Sequence, residues 1–137
     1  MKISELLKSK EITISCELFP PKKGSELQKA HDLVREIAQL CPTFISVTYG
    51  ATGGISEHTV NLANEAQNVN GITALAHLTC ASSDRNKIQE VLGELKQNKI
   101  ENILALRGDI PENADFPIAV TVSGRVISVR RFPSWNT

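Results

Sequence analysis

Four short segments of this chain end in side chains suited to acid–base or ligand-binding chemistry. They are Glu17, Thr48-Tyr49, His77 with Thr79, and Arg107-Gly108-Asp109. Steps of 31, 29 and 30 residues separate Glu17, Thr48, His77 and Arg107. Glu17 stands between Cys16 and Leu18-Phe19. A carboxylate among such neighbours is expected to be partly desolvated, which favours its protonated form and suits a proton donor near neutral pH. The competing reading is a solvated loop glutamate paired with Lys22 or Lys23. Arg107 and Asp109 would present a cation and an anion to one ligand, or form an ordinary turn before Pro111. His77 taken alone fits a hydrogen-bonded structural histidine, and Thr48 and Tyr49 taken alone are common strand formers. Gly50, Gly53 and Gly54 make a loop whose backbone a ligand can approach closely, or simply a flexible one. Cys16, Cys41 and Cys80 have no visible base partner and read as small packing residues.

The elements that must position these groups alternate. Ile12–Cys16 is β-branched and stopped by Pro20-Pro21, so it reads as a strand with Glu17 just beyond its end. Phe44–Tyr49, Ile72–His77 and Ile103–Leu106 read as three more strands. Between them lie apolar residues at helical spacing. Leu27, Ala30, Val34, Ile37 and Ala38 predict a helix over about 25–40, opened by a Ser25-x-x-Gln28 capping box. A weaker pattern with Val60, Ala63 and Ala66 predicts a helix over 56–69. Ile88, Val91, Leu92 and Leu95 predict a third, capped by Ser83-Asp84. Ile3, Leu6 and Leu7 suit a short leading helix.

Apolar strands separated by helices imply a parallel sheet, and one βαβ step takes about 30 residues. Each polar group then sits at the C-terminal end of its strand, the face on which parallel barrels carry their sites. A doubly wound sheet would give the same alternation. Its sign is a Gly-rich turn after the first strand, and Phe19-Pro20-Pro21-Lys22-Lys23-Gly24 is not one. The expected fold is therefore α/β, a partial (β/α)8 TIM barrel of about four βα units, since a complete one takes about 250 residues.

The totals agree with a globular domain. The chain has 137 residues, 41% hydrophobic and 22% charged, with 15 basic and 15 acidic residues. That balance gives no footprint for nucleic acid or a polybasic membrane patch. No apolar run reaches the roughly 18 residues of a membrane span, and the first residues lack a signal-peptide core. Three dispersed cysteines predict neither disulfides nor zinc and suit a reducing cytoplasm.

The motifs themselves resemble a family. Cys16-Glu17-Leu18-Phe19-Pro20-Pro21-Lys22 resembles the E-F-F-P-P motif of methylenetetrahydrofolate reductases. Ile45-Ser46-Val47-Thr48-Tyr49-Gly50-Ala51 is similar to their S-V-T-Y-G-A segment, and Ala76-His77-Leu78-Thr79-Cys80 to their H-L-T-C strand end. Asn102 to Pro111 resembles N-I-L-A-L-R-G-D-x-P. The four occur in order and in phase; Leu18 departs, standing where the family usually has Phe. The resemblance implies an FAD enzyme that takes hydride from NADH or NADPH and reduces 5,10-methylenetetrahydrofolate to 5-methyltetrahydrofolate, in one-carbon and methionine metabolism. It implies Glu17 as general acid toward the folate and Asp109 as the carboxylate beside flavin and folate, both touching substrate. Thr48, Tyr49, Ala51, His77, Arg107, Gly108 and Asp109 match flavin-contacting positions.

Residues 1–113 carry the barrel-like part and 114–137 form a divergent tail. The tail reads either as a fifth strand over Asp115–Val122 or as a hairpin of 118–122 and 126–130 around Ser123-Gly124. Four βα units leave sheet edges open, so the expectations are impaired activity for the short chain and self-association or a partner covering the sheet. The competing reading is a non-catalytic remnant or assembly partner.

Overall fold

The computed structural model describes residues 1–9, 12–49, 56–80 and 83–107. The tail, and with it both readings of residues 114–137, lies outside the described residues.

Helix α1 (Ile3–Ser9) leads into β1 (Ser15–Leu18), α2 (Leu27–Gln39), β2 (Phe44–Val47), α3 (Ser56–Asn64), β3 (Ala74–Thr79), α4 (Arg85–Gln97) and β4 (Asn102–Leu106). The strands form one parallel sheet in the order β1-β2-β3-β4. A doubly wound sheet reverses its strand order partway and has helices on both faces. Here the order is sequential, and α2, α3 and α4 all pack on one face. Leu18, Ile45, Val47, Ala74, Ala76 and Leu78 from the strands meet Val34, Val60, Leu62, Ala63, Val91 and Leu95 from the helices in one core. This is the singly wound arrangement expected of barrel units.

Strand alternation sends every second residue to the opposite face, the inner face of a barrel. That face carries Glu17, Ser46, Leu75, His77, Asn102 and Leu104, aligned by the pairs Glu17↔Ser46, Ser46↔Leu75, Leu75↔Asn102 and His77↔Leu104. Its N-terminal end is closed by α1. Ile3 and Leu6 bury against Leu75, with Phe44 and Leu104 packed beside them. Asn102 is fully buried and anchors this plug. Its Oδ1 accepts from the Ile3 N–H at 3.0 Å, and its Nδ2 donates to the Met1 carbonyl at 3.0 Å and the Ala74 carbonyl at 3.3 Å.

The elements depart from the sequence reading in instructive places. β1 begins at Ser15, three residues later than expected, and includes Glu17. The ladder to β2 starts at the Ser15↔Phe44 pair, just after Pro42, which has no N–H to contribute. Ile12 and Ile14 are left exposed. β3 likewise runs on to Thr79, held by the Thr79↔Leu106 pair. The Ser25-Gln28 capping box does not form. Gly24–Glu26 make a 3-10 turn, α2 starts with Glu26 at its cap without a side-chain bond, and Gln28 bonds Asp32 along the helix instead. Asp84 does cap α4, accepting from the Lys87 N–H at 2.7 Å. The helix expected over 56–69 is α3 followed by a π-turn over Glu65–Val69. The widening starts at Glu65, a buried carboxylate held by Arg35 at 2.9 Å and His31 at 3.2 Å from α2.

α4 ends in a Schellman motif. The Ile100 N–H bonds the Leu95 carbonyl and the Lys99 N–H bonds the Lys96 carbonyl, both at 2.9 Å. Lys99 takes the left-handed conformation, φ 56°, that glycine normally supplies there.

Candidate active site

The polar residues of the inner face converge toward the C-terminal ends of β1, β2 and β3. Glu17 and Ser46 are direct neighbours across two strands. The buried Ser46 hydroxyl donates to Glu17 Oε2 at 3.1 Å. His77 lies two residues beyond Leu75, the register partner of Ser46, and so on the same face. Its Nε2 stands 3.7 Å from the same Oε2. That distance is too long for a hydrogen bond.

Burial pushes His77 below the ordinary 6.5, and the nearby Glu17 carboxylate only partly opposes this. The imidazole is therefore neutral near pH 7, and its contact with Glu17 is not an ion pair under those conditions. The expected desolvation of Glu17 is not met in this structure, where its side chain is 49% exposed. The reason is alternation. Cys16 and Leu18 flank Glu17 in sequence but point to the other face, so they do not enclose it. Its close neighbours are a hydroxyl and an imidazole.

Thr48 follows Ser46 by two residues, half-buried, with its N–H still bonded to the Leu18 carbonyl at 2.9 Å. The Thr59 hydroxyl, from the first turn of α3, donates to the Thr48 carbonyl at 3.0 Å and steadies this strand end. Tyr49 goes the other way and is buried in the helix-side core, apart from the Glu17 group. Arg107 is exposed one residue past β4. Ala51, Gly108 and Asp109 lie outside the described residues, as do Gly50, Gly53 and Gly54.

His58, on α3, is buried with its Nδ1 3.0 Å from the Pro21 carbonyl. As the donor it ties down the loop that leaves Glu17. Neither His58 nor Ser46 was singled out from sequence. A strand serine and a helix histidine carry no local signal, although Ser46 becomes predictable once β1 and β2 are placed in register. Among the described residues no three His, Cys, Asp or Glu side chains are grouped to hold a metal ion. Desolvation of its sulfur pushes the Cys80 thiol up, although the residue as a whole is exposed, and this disfavours a thiolate.

Sequential parallel strands, helices on one face, a plugged N-terminal end and polar groups toward the C-terminal end define the front of a (β/α) barrel of the kind that carries enzyme sites. The chain belongs to the methylenetetrahydrofolate reductase family, which it matches over residues 2–128. It is 33% identical over 114 residues to methylenetetrahydrofolate reductase (NADH) 1 of Arabidopsis thaliana, an alignment covering 83% of this chain and 19% of that protein. It is 32% identical over 107 residues to 5,10-methylenetetrahydrofolate reductase of Escherichia coli K12, covering 78% of this chain and 36% of that one. A similar protein of Salmonella typhimurium is 33% identical over 107 residues. The chain thus spans about a fifth to a third of the length of these relatives.

Proposed function

We propose that this chain supplies four strands and the three helices between them to a barrel site that reduces 5,10-methylenetetrahydrofolate to 5-methyltetrahydrofolate, with FAD as cofactor and NADH or NADPH as hydride donor. The observation that carries this reading is the convergence of Glu17, Ser46 and His77 on the inner face, in a chain of this family. The donor set toward the strand ends suits a flavin. Thr48 offers a hydroxyl, His77 a neutral imidazole and Arg107 a guanidinium of the kind that pairs with a diphosphate. Bound FAD would supply the hydride relay from nicotinamide to folate.

The work of the chain's own residues is positional and protonic. Glu17 delivers a proton to the bridge nitrogen of the folate, opening the five-membered ring toward reduction. Its exposure on the inner face makes it reachable by a ligand. Neutral His77 beside it adds no positive charge to compete for the developing cationic folate. By the family resemblance Asp109 would be the second carboxylate, whose negative charge would favour that cation, and Ala51 and Gly108 would add flavin contacts. Tyr49, from within the helix-side core, supports the strand end that carries Thr48. The outer strands of the described sheet, β1 and β4, are the seams at which self-association or a partner covers it. The thiols of Cys16, Cys41 and Cys80 are free, which suits the cytoplasm.

The test separates the two half-reactions. Glu17→Gln is expected to abolish oxidation of reduced flavin by the folate while leaving flavin reduction by NADH unchanged. Equal loss in both half-reactions contradicts the role given to Glu17.

A further inference from the structure

Glu17 is held by one of its two oxygens. Oε2 accepts the Ser46 hydroxyl at 3.1 Å and has His77 Nε2 at 3.7 Å. Oε1 has no hydrogen-bond partner among the described residues. Ser46 is almost fully buried, and its backbone is committed to the parallel ladder between Glu17 and Leu75. A buried hydroxyl must find a partner, and Ser46 finds it across the strand in the carboxylate. The direct register pair Glu17↔Ser46 leaves the short serine side chain little choice of reach.

We propose that Ser46 is a positioning residue for Glu17: by holding Oε2, it makes Oε1 the oxygen that carries the transferable proton and faces the ligand. This rests on the reading of Glu17 as the proton donor. While Glu17 is protonated, the proton sits on Oε1, because Oε2 is already accepting from Ser46. On transfer the Oε1–H bond breaks and an N–H bond forms on the folate bridge nitrogen. The bonding pair stays on the carboxylate, whose new charge the Ser46 hydroxyl already contacts. No reorientation of donor groups is then needed during the step. A glutamate has three rotatable side-chain bonds, and without this tether its carboxyl would sample orientations that present neither oxygen productively.

The experiment combines a spectroscopic and a kinetic readout on the full chain. With glutamate labelled at the side-chain carboxyl carbon, the Glu17 resonance is assigned by its loss in Glu17→Gln. Ser46→Ala is expected to move that resonance and the His77 ring resonances, with unchanged far-ultraviolet circular dichroism. Ser46→Thr, which keeps the hydroxyl in a strand-compatible side chain, is expected to restore them. In the flavin-loaded protein, Ser46→Ala is expected to slow folate reduction about 10-fold, with flavin reduction by NADH unchanged and with recovery in Ser46→Thr. A Glu17 resonance unmoved by Ser46→Ala overturns the tether. A moved resonance with an unchanged rate overturns the positioning role and leaves Glu17 as the donor. Undiminished folate reduction in Glu17→Gln overturns the donor reading and, with it, the proposal.

Discussion

Replacing Asn102 by alanine should release the plug at the N-terminal end of the barrel face. Asn102 is fully buried and makes three hydrogen bonds, one from the Ile3 N–H and two to the Met1 and Ala74 carbonyls. Each neutral bond is worth about 1 kcal/mol net, and a stranded buried N–H costs a further 1–3 kcal/mol or so. A loss of about 4–6 kcal/mol follows if α1 stays docked. If α1 detaches, the Ile3 N–H regains water, but Ile3 and Leu6 leave their contact with Leu75. That costs roughly 1.5–3 kcal/mol for each side chain, so the two routes cost about the same.

The loss is a large share of the roughly 5–15 kcal/mol that holds a domain together. With a urea slope of about 2 kcal/mol per molar, the unfolding midpoint falls by about 2–3 M. Circular dichroism in urea measures that shift, and hydrogen exchange at the Ile3 and Leu6 amides tells whether α1 has detached. Asn102→Leu fills the same space without the bonds. It should lose nearly as much as Asn102→Ala, because the missing partners outweigh the cavity. A loss below about 1 kcal/mol in Asn102→Ala, with the Ile3 amide still protected, would refute the anchoring role. Recovery of stability in Asn102→Leu would assign the effect to the cavity.

Three further predictions concern charge and backbone. His77 is held below the ordinary 6.5 by burial, against the pull of Glu17. Glu17→Gln removes the opposing carboxylate, so the His77 titration followed by proton NMR should move to still lower pH. The same depression means that the unfolded chain binds the proton more readily than the folded one. The His77 contribution to stability is thus present above the unfolded value, falls as pH drops below about 6.5, and levels off once the folded imidazole is itself protonated. His77→Gln should flatten that part of the pH–stability curve measured by urea unfolding. Lys99 occupies the left-handed end of α4 at φ 56°, so Lys99→Gly should raise stability by about 0.5–1 kcal/mol, read as a higher urea midpoint.

Much of the fold is legible along the chain because its causes are local. The apolar periodicity of α2 and α4, the β-branched strands and the 30-residue step each depend on residues close in sequence. They yield four strands with helices between them and place the chemistry toward strand ends. The Glu17 motif, the Thr48 segment, the His77 strand end and the Arg107 turn carried the family resemblance in the same way, by local identity and order.

What local patterning did not reveal depends on pairing between distant segments. The missing Gly-rich turn after the first strand favoured a sequential, singly wound sheet, and the order β1 to β4 bears that out. The same pairing decides which face each side chain joins. It freed Glu17 from its apolar sequence neighbours, sent Tyr49 to the helix side and put Ser46 beside Glu17. Asn102 gained a role because α1 packs beside the start of β4, which lies 99 residues along the chain from Ile3. A residue type and its neighbours specify an element, since propensity and periodicity act within a few residues. A site requires register, and register is set only when strands far apart in sequence exchange hydrogen bonds and bury a shared face.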